Sequence, residues 1–280
     1  LGKTCAQAWI TGRLIEHGHA AIAIDPKGDE LLREELRRAA ARRGAPFLCW
    51  TPQGPLGYNP YAYGSDTEVA DKALAGETFT EPHYLRQAQR YLGHAVRTMR
   101  AARVPVTAAS LMEHMEPLQL DATARALSGE EGTVVRDYLE SLGERQRREL
   151  AGVRDRLSIL AESDIAPWLC PAAAQNGSGR AAAAPRGAFS LPAVLERRAV
   201  VYFSLEADRR PLLAPMLGGA IVTDLVTLAA HRREDPIPTL VLIDEFSAVG
   251  AAQVAKLFGR GRDAGMSMVL AASAVPATGS

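Results

Sequence analysis

The 280-residue chain has no net formal charge, since 32 Lys and Arg stand against 32 Asp and Glu, so its overall charge draws it neither to nucleic acid nor to an anionic membrane. Any contact with a polyanion has to come from a local cluster. Cysteine is scarce: Cys5, Cys49 and Cys170 are odd in number, far apart and without a Cys-x-x-Cys pair. That excludes a disulfide framework and a thiolate zinc site, and it fits a reducing compartment. The histidines, His17, His19, His83, His94, His114 and His231, show no ligand spacing with a carboxylate or cysteine and read as structural or surface residues. No Ser-His-Asp set and no nucleophilic cysteine arrangement is visible. Long apolar runs are equally rare. The longest, 212–230, is interrupted by Pro215, the Gly218-Gly219 pair and Asp224, and reads as a buried core helix rather than a membrane span.

What is present is a composition of 47% hydrophobic and 23% charged residues, enough for one large core or two smaller ones. Leu1-Gly2-Lys3-Thr4 matches the last four positions of a phosphate-binding loop. Such a loop wraps phosphates in backbone N–H groups, sends its Lys to the β/γ oxygens and its Ser/Thr hydroxyl to Mg²⁺. With only those positions in hand, the sequence reads as a piece of a longer chain that opens inside its own site. Near the other end, Leu240-Val241-Leu242-Ile243 closes on Asp244-Glu245. An apolar strand ending this way offers an Asp that holds Mg²⁺ through water and a Glu that polarises the attacking water. Each motif alone is common. Together and in this order they indicate a nucleotide triphosphatase site, with Gly2, Lys3 and Thr4 on the nucleotide, Thr4 and Asp244 on the metal, and Glu245 as the catalytic carboxylate that polarises water.

Between these motifs the chain changes character twice. Residues 5–17 form a predicted helix and 19–25 a buried strand ending at Asp25-Pro26. The segment 31–43 is an exposed amphipathic helix with Glu34 and Arg38 at pairing distance, 46–50 is a strand, and 51–64 is a Pro- and Gly-rich loop. From 66 to 165 helical periodicity takes over, most clearly over 84–102, 133–142 and 144–161. The stretch 171–187 is small, polar and low in complexity, a flexible connection. Strands return at 199–205, 237–244 and 266–271, separated by helices at 212–231 and 253–261. This alternation predicts an α/β fold with a mostly parallel sheet and ligand sites at the carboxyl ends of its strands, where Asp25 and Asp244 both fall. The expected organisation is a first nucleotide-binding segment 1–65, an all-helical insertion 66–170, a linker 171–188 and the rest of the nucleotide-binding domain 189–280. Asp25-Pro26-Lys27-Gly28 reads by itself as a turn. Its place at the sheet edge also makes Asp25 and Lys27 candidates to touch the nucleotide.

The motifs Gly-Lys-Thr, Asp25-Pro-Lys-Gly-Asp29, Val201-Tyr-Phe-Ser-Leu-Glu206, Leu240-Val-Leu-Ile-Asp-Glu-Phe-Ser-Ala-Val-Gly250 and Phe258-Gly-Arg-Gly-Arg-Asp-Ala-Gly265 occur in order. Together they resemble the type IV secretion coupling proteins, the TraD/TraG-like conjugative DNA translocases related to FtsK and HerA. The resemblance covers most of the chain. It implies a RecA-like P-loop ATPase core with an inserted all-α domain, ATP and Mg²⁺ as cofactors, and a homo-hexamer. It also implies single-stranded DNA, relaxosome proteins and channel proteins as partners. The implied location is the cytoplasmic face of the inner or plasma membrane, reached through regions absent from this chain. Lys3 and Thr4 then belong to Walker A, Asp244 and Glu245 to Walker B. Arg262, with Arg260 as its competitor, matches the arginine that a neighbouring subunit inserts beside the γ-phosphate, and each also reads as a solvated arginine at a helix end. One departure is Ser273-Ala274, standing where the family places a glutamine after the last strand. It leaves open a second function, a non-hydrolysing adaptor that recruits relaxosome or effector proteins. No acid occurs from 84 to 103, where Arg86, Arg90, Arg97 and Arg100 share roughly one helix face. The stripe reads either as a contact for DNA phosphates or as a solvated face, including one turned to acids of another subunit.

Overall fold

The computed structural model describes residues 2–76, 81–170 and 184–272. In chain order its elements are α1 (Gly2–Glu16), β1 (Ala20–Asp25), α2 (Glu30–Arg43), β2 (Phe47–Trp50), β3 (Leu56–Tyr58), α3 (Asp66–Ala73) and α4 (Pro82–Ala101). Next come α5 (Ala108–His114), α6 (Pro117–Arg125), α7 (Glu130–Glu140), α8 (Glu144–Ala161) and α9 (Ala166–Leu169). The last group is β4 (Gly187–Phe189), α10 (Leu191–Glu196), β5 (Val200–Ser204), α11 (Leu213–His231), β6 (Thr239–Ile243), α12 (Ala251–Gly261) and β7 (Met266–Leu270). They make two units, one from Leu1–Pro52 with Leu191–Ser280 and the other from Gln53–Ser190.

The first unit is built on a five-stranded sheet of order β2-β5-β1-β6-β7, parallel throughout. Its three central strands, Ala-Ala-Ile-Ala-Ile-Asp, Val-Val-Tyr-Phe-Ser and Thr-Leu-Val-Leu-Ile, are buried at every position, as strands covered on both faces must be. Side chains alternate between the faces. Ala21, Ala23, Val200, Tyr202, Leu240 and Leu242 pack with Ala8 and Ile15 of α1 and with Leu32, Leu36, Ala39 and Ala40 of α2. The alternate positions Ile22, Ile24, Val201, Phe203, Val241 and Ile243 are buried too, and Phe203 lies 6.3 Å from Trp50.

Both ends of α2 are capped. Asp29 accepts from the N–H groups of Leu31 and Leu32 at the start, and Gly44 ends the helix in the left-handed region at φ 73°. The expected pair of Glu34 and Arg38 closes at 3.1 Å. α11 is long and apolar enough to cross a membrane, and 83% of its most apolar window is buried in the fold, as a core helix is. From β1 the chain runs outward to β2, returns in β5 and then crosses to β6 on the other side of β1. The order therefore reverses beside β1, and a parallel sheet opens its ligand crevice at such a point, outside the carboxyl ends of the strands.

The second unit is mainly helical, with Tyr91, Leu92, Val96 and Met99 of α4, Leu111 of α5, Leu120 of α6 and Leu157 of α8 fully enclosed. His114 is enclosed as well, its ring nitrogens 2.7 Å from the Ser110 carbonyl and 3.0 Å from the Thr123 hydroxyl, a structural histidine. The expected loop 51–64 differs from the structure in one respect. Leu56–Tyr58 pairs in parallel with Gly187–Phe189, and Tyr58 stacks on Phe189 at 5.4 Å. Three residues are too few to show a strand period, and the neighbouring Pro and Gly mask it. The expected linker lies, over 171–183, outside the described residues.

Candidate functional site

α1 runs antiparallel to the strands, so its first turn, with Gly2, Lys3 and Thr4, lies at the carboxyl edge of the sheet where β1 and β6 end. One turn on, Gln7 is 6% exposed, and its Nε2 donates to Asp244 Oδ1 at 3.2 Å. The start of the chain and the acid pair more than two hundred residues later are thus held in one place. The Lys3 side chain lies outside the described residues, as do Ser273 and Ala274.

Asp244 follows directly on β6, its N–H donating to the Ile24 carbonyl of β1 at 3.0 Å. Its Oδ2 accepts no hydrogen bond from the described residues. Glu245 sits at φ 47° and ψ 53°, a left-handed conformation that costs a non-glycine residue about 1–3 kcal/mol. The four-residue turn Phe246–Val249 follows, and Phe246 donates its N–H to the Ala271 carbonyl at 3.1 Å. Glu245 Oε1 lies 3.8 Å from Lys27 Nζ, the glutamate side chain 16% exposed and the lysine 54%.

Asp25, expected at the nucleotide, ends β1 at the carboxyl edge of the sheet. It is fully enclosed, and its oxygens accept from the N–H groups of Lys27, Gly28 and Asp29 at 2.8, 2.9 and 2.6 Å, with the Tyr202 hydroxyl 2.5 Å from Oδ2. A carboxylate with its oxygens committed to four protein donors shapes the loop. Burial first, and then the charge and hydrogen bond of Asp25, hold the Tyr202 phenol well above its ordinary pKa, so it stays a donor. Gly28 is required here. Its φ is 82°, and a Cβ would come within 2.6 Å of Ser204 Oγ. Asp29 serves twice, since Oδ1 caps α2 and Oδ2 accepts the Thr4 hydroxyl at 3.3 Å.

These oxygens suit a hard divalent cation. The Thr4 hydroxyl and the Asp244 carboxylate face the same edge, and among the described residues no group of three or more His, Cys, Asp or Glu forms a protein-only cage. Mg²⁺ bound through one or two protein oxygens, water and substrate phosphates needs none.

Arg260 and Arg262 are exposed at the end of α12 and just after it. β7 starts four residues beyond Arg262, and the Gly265 carbonyl accepts from Thr239 N–H at 3.0 Å, at the start of β6. Both arginines therefore sit at the amino edge, a five-residue strand or about 16 Å from Asp244. Within one chain they are not brought to the acids.

The arginine stripe of α4 is partly committed inside its own unit. Arg97 and Arg100 pair with Asp66 at 3.4 and 2.7 Å, and Arg100 also donates to the Gly64 carbonyl at 2.7 Å. The Arg90 guanidinium lies 4.7 Å above the Tyr138 ring. Arg86 is exposed, with no partner among the described residues.

Gln7, Asp29 and Tyr202 carry the site's internal ties and escaped the sequence reading. Gln7 had a signal, since it stands three residues after Thr4 on the same helix face. Tyr202 had none, because only the register that sets it opposite Ala23 brings its phenol to Asp25.

No family model matches the sequence, and no curated protein matches it either. Solved structures match in shape. The plasmid coupling protein TrwB in complex with the non-hydrolysable ATP analogue ADPNP has a TM-score of 0.54 at 17% identity, over 93% of this chain and 64% of that one. A trigonal form of the bacterial conjugative coupling protein TrwB with sulphate has 0.53 at 16%, over 93% and 64%. VirB4 of Thermoanaerobacter pseudethanolicus has 0.50 at 12%, over 96% and 66%. The chain spans less than two thirds of the length of these TrwB chains. At such identities the likeness speaks to architecture, and it agrees with an α/β, RecA-like fold.

Proposed function

We propose that this chain is the nucleotide-hydrolysing part of an ATP-driven motor of the type IV secretion coupling kind, which moves DNA, and also protein, to a secretion channel. The observation that carries this reading is the Gln7–Asp244 hydrogen bond of 3.2 Å, because it unites the two half-motifs at one sheet edge. The RecA-like fold, similar to that of structures named as nucleotide complexes of TrwB, supports it. Thr4 and Asp244 would hold Mg²⁺, whose charge neutralises the triphosphate when bound. The α1 N-terminus offers its amides, and Lys3 its ammonium, to the phosphates. Glu245 orients the attacking water by accepting a hydrogen bond from it.

Arg262, or Arg260, acts on the nucleotide of a neighbouring copy, a reading that the exposure of both and their distance from Asp244 in their own chain support. The working assembly is then a homo-hexamer. It sits at the cytoplasmic face of the membrane with relaxosome and channel proteins as partners, and Arg86 and Arg90 are the groups offered to single-stranded DNA.

The test is ATP turnover by the natural full-length protein. Turnover rises with single-stranded DNA and is abolished in Lys3→Ala and in Glu245→Gln. Unchanged turnover in both variants removes the site assignment, and nucleotide binding with no turnover in the unaltered protein removes the motor in favour of an adaptor.

A further inference from the structure

We propose that Lys27 is a positioning residue for Glu245 and not a ligand of the nucleotide's phosphates. The inference rests on the reading of Glu245 as the residue that orients water.

Three observations carry it. The backbone at residue 27 is fixed from below, since the enclosed Asp25 carboxylate takes the N–H groups of Lys27, Gly28 and Asp29 in succession and is itself held by Tyr202. Glu245 leaves the strand in a left-handed conformation, so its carboxylate departs from the line of β6 instead of continuing it. The two side chains meet at 3.8 Å, the carboxylate largely buried and the ammonium half exposed. A mostly buried carboxylate in an ion pair with a cation has its orientation restricted while its oxygens, with two lone pairs each, still accept hydrogen bonds. The lysine charge is spent on the glutamate and leaves the phosphates to the first turn of α1.

The same loop sends Asp29 to the Thr4 hydroxyl at 3.3 Å. One Asp25-keyed loop therefore holds both the proposed metal ligand and the proposed water-orienting group, and fixes their spacing.

The experiment is steady-state ATP hydrolysis by the natural full-length protein, with the affinity for a non-hydrolysable ATP analogue measured separately by calorimetry. Lys27→Ala lowers kcat about tenfold, or ~1.4 kcal/mol in the barrier, while KM and analogue affinity stay within about twofold. Lys27→Arg restores most of the rate, since it keeps the charge on a similar stem. A tenfold loss of analogue affinity in Lys27→Ala makes Lys27 a phosphate ligand and overturns the proposal. An unchanged kcat in Lys27→Ala, with Glu245→Gln inactive, overturns the proposal and leaves the parent reading standing. Wild-type turnover in Glu245→Gln removes both.

Discussion

Gly218→Ala tests how the acid pair is held in place. The glycine lies in α11, and an added Cβ would come 2.7 Å from Val249 Cγ1, 2.9 Å from Val249 Cβ and 3.2 Å from Leu205 Cδ1. Helix propensity alone favours alanine by about 1 kcal/mol. Contacts this short require Val249 to move by roughly an ångström, and forced overpacking of this kind costs about 1–3 kcal/mol. The helix gain offsets part of that, so the net effect is a loss of about 1 kcal/mol. Val249 closes the turn that begins directly after Glu245, so the displacement is also felt at the site.

Val249→Ala alone removes two buried methyl groups and costs about 2 kcal/mol. In the double variant the 2.7 Å clash with Cγ1 is gone, while the 2.9 Å approach to Cβ, which alanine keeps, remains. The combined loss is then about 2 kcal/mol instead of the 3 kcal/mol that simple addition gives, a coupling of about 1 kcal/mol. Native-state hydrogen exchange of peptides covering β1 and β6 reads the stability of the unit that carries both residues. Additivity within about 0.5 kcal/mol, or a stabilising Gly218→Ala, refutes the close approach.

Two further outcomes follow from the helical unit. Burial, and then the charges of Arg90 and Arg97, lower the pKa of His94 below 6.5. The folded state therefore binds fewer protons than the unfolded chain as pH falls through 6.5, and the unit loses stability from there down to the folded pKa. Ring titration by NMR shows a pKa below 6.5 that rises in Arg90→Ala, and an unmoved value in that variant contradicts the stated cause. Charge reversal at Arg86 and Arg90 weakens single-stranded DNA binding at low salt and makes its salt dependence shallower by about 1.4 in slope. Affinity and slope equal to the unaltered protein return both residues to a solvated face.

What the sequence disclosed depended on the range over which each signal acts. Apolar runs closing on an acid located the ends of β1 and β6, because a strand buried on both faces keeps its charged residues to its end, Asp25 as the last residue of β1 and Asp244 just after β6. The pairing of Glu34 with Arg38 was visible as local helical spacing. β3 was hidden by its brevity. Asp25 was legible as a strand end but not as a buried hub, since the donor that completes it, Tyr202, lies 177 residues away and is brought in by sheet register. The α4 stripe looked open because the helix holds no acid of its own from 84 to 101. Its counter-charge, Asp66, stands on α3, 34 residues before Arg100. Helical periodicity sees neighbours on one cylinder and is blind to the next.

β7 has one consequence for handling the molecule. Met-Ser-Met-Val-Leu contains neither proline nor charge, forms an outer rim of the parallel sheet, pairs with β6 alone among the described residues, and leaves Leu270 38% exposed. Its outward N–H and C=O groups form a template with none of the guards that edge strands usually carry. A lysine in place of the exposed Ser267 would act as a gatekeeper, discouraging rim-to-rim stacking of copies at high concentration while leaving the crevice at the opposite end of the strands untouched.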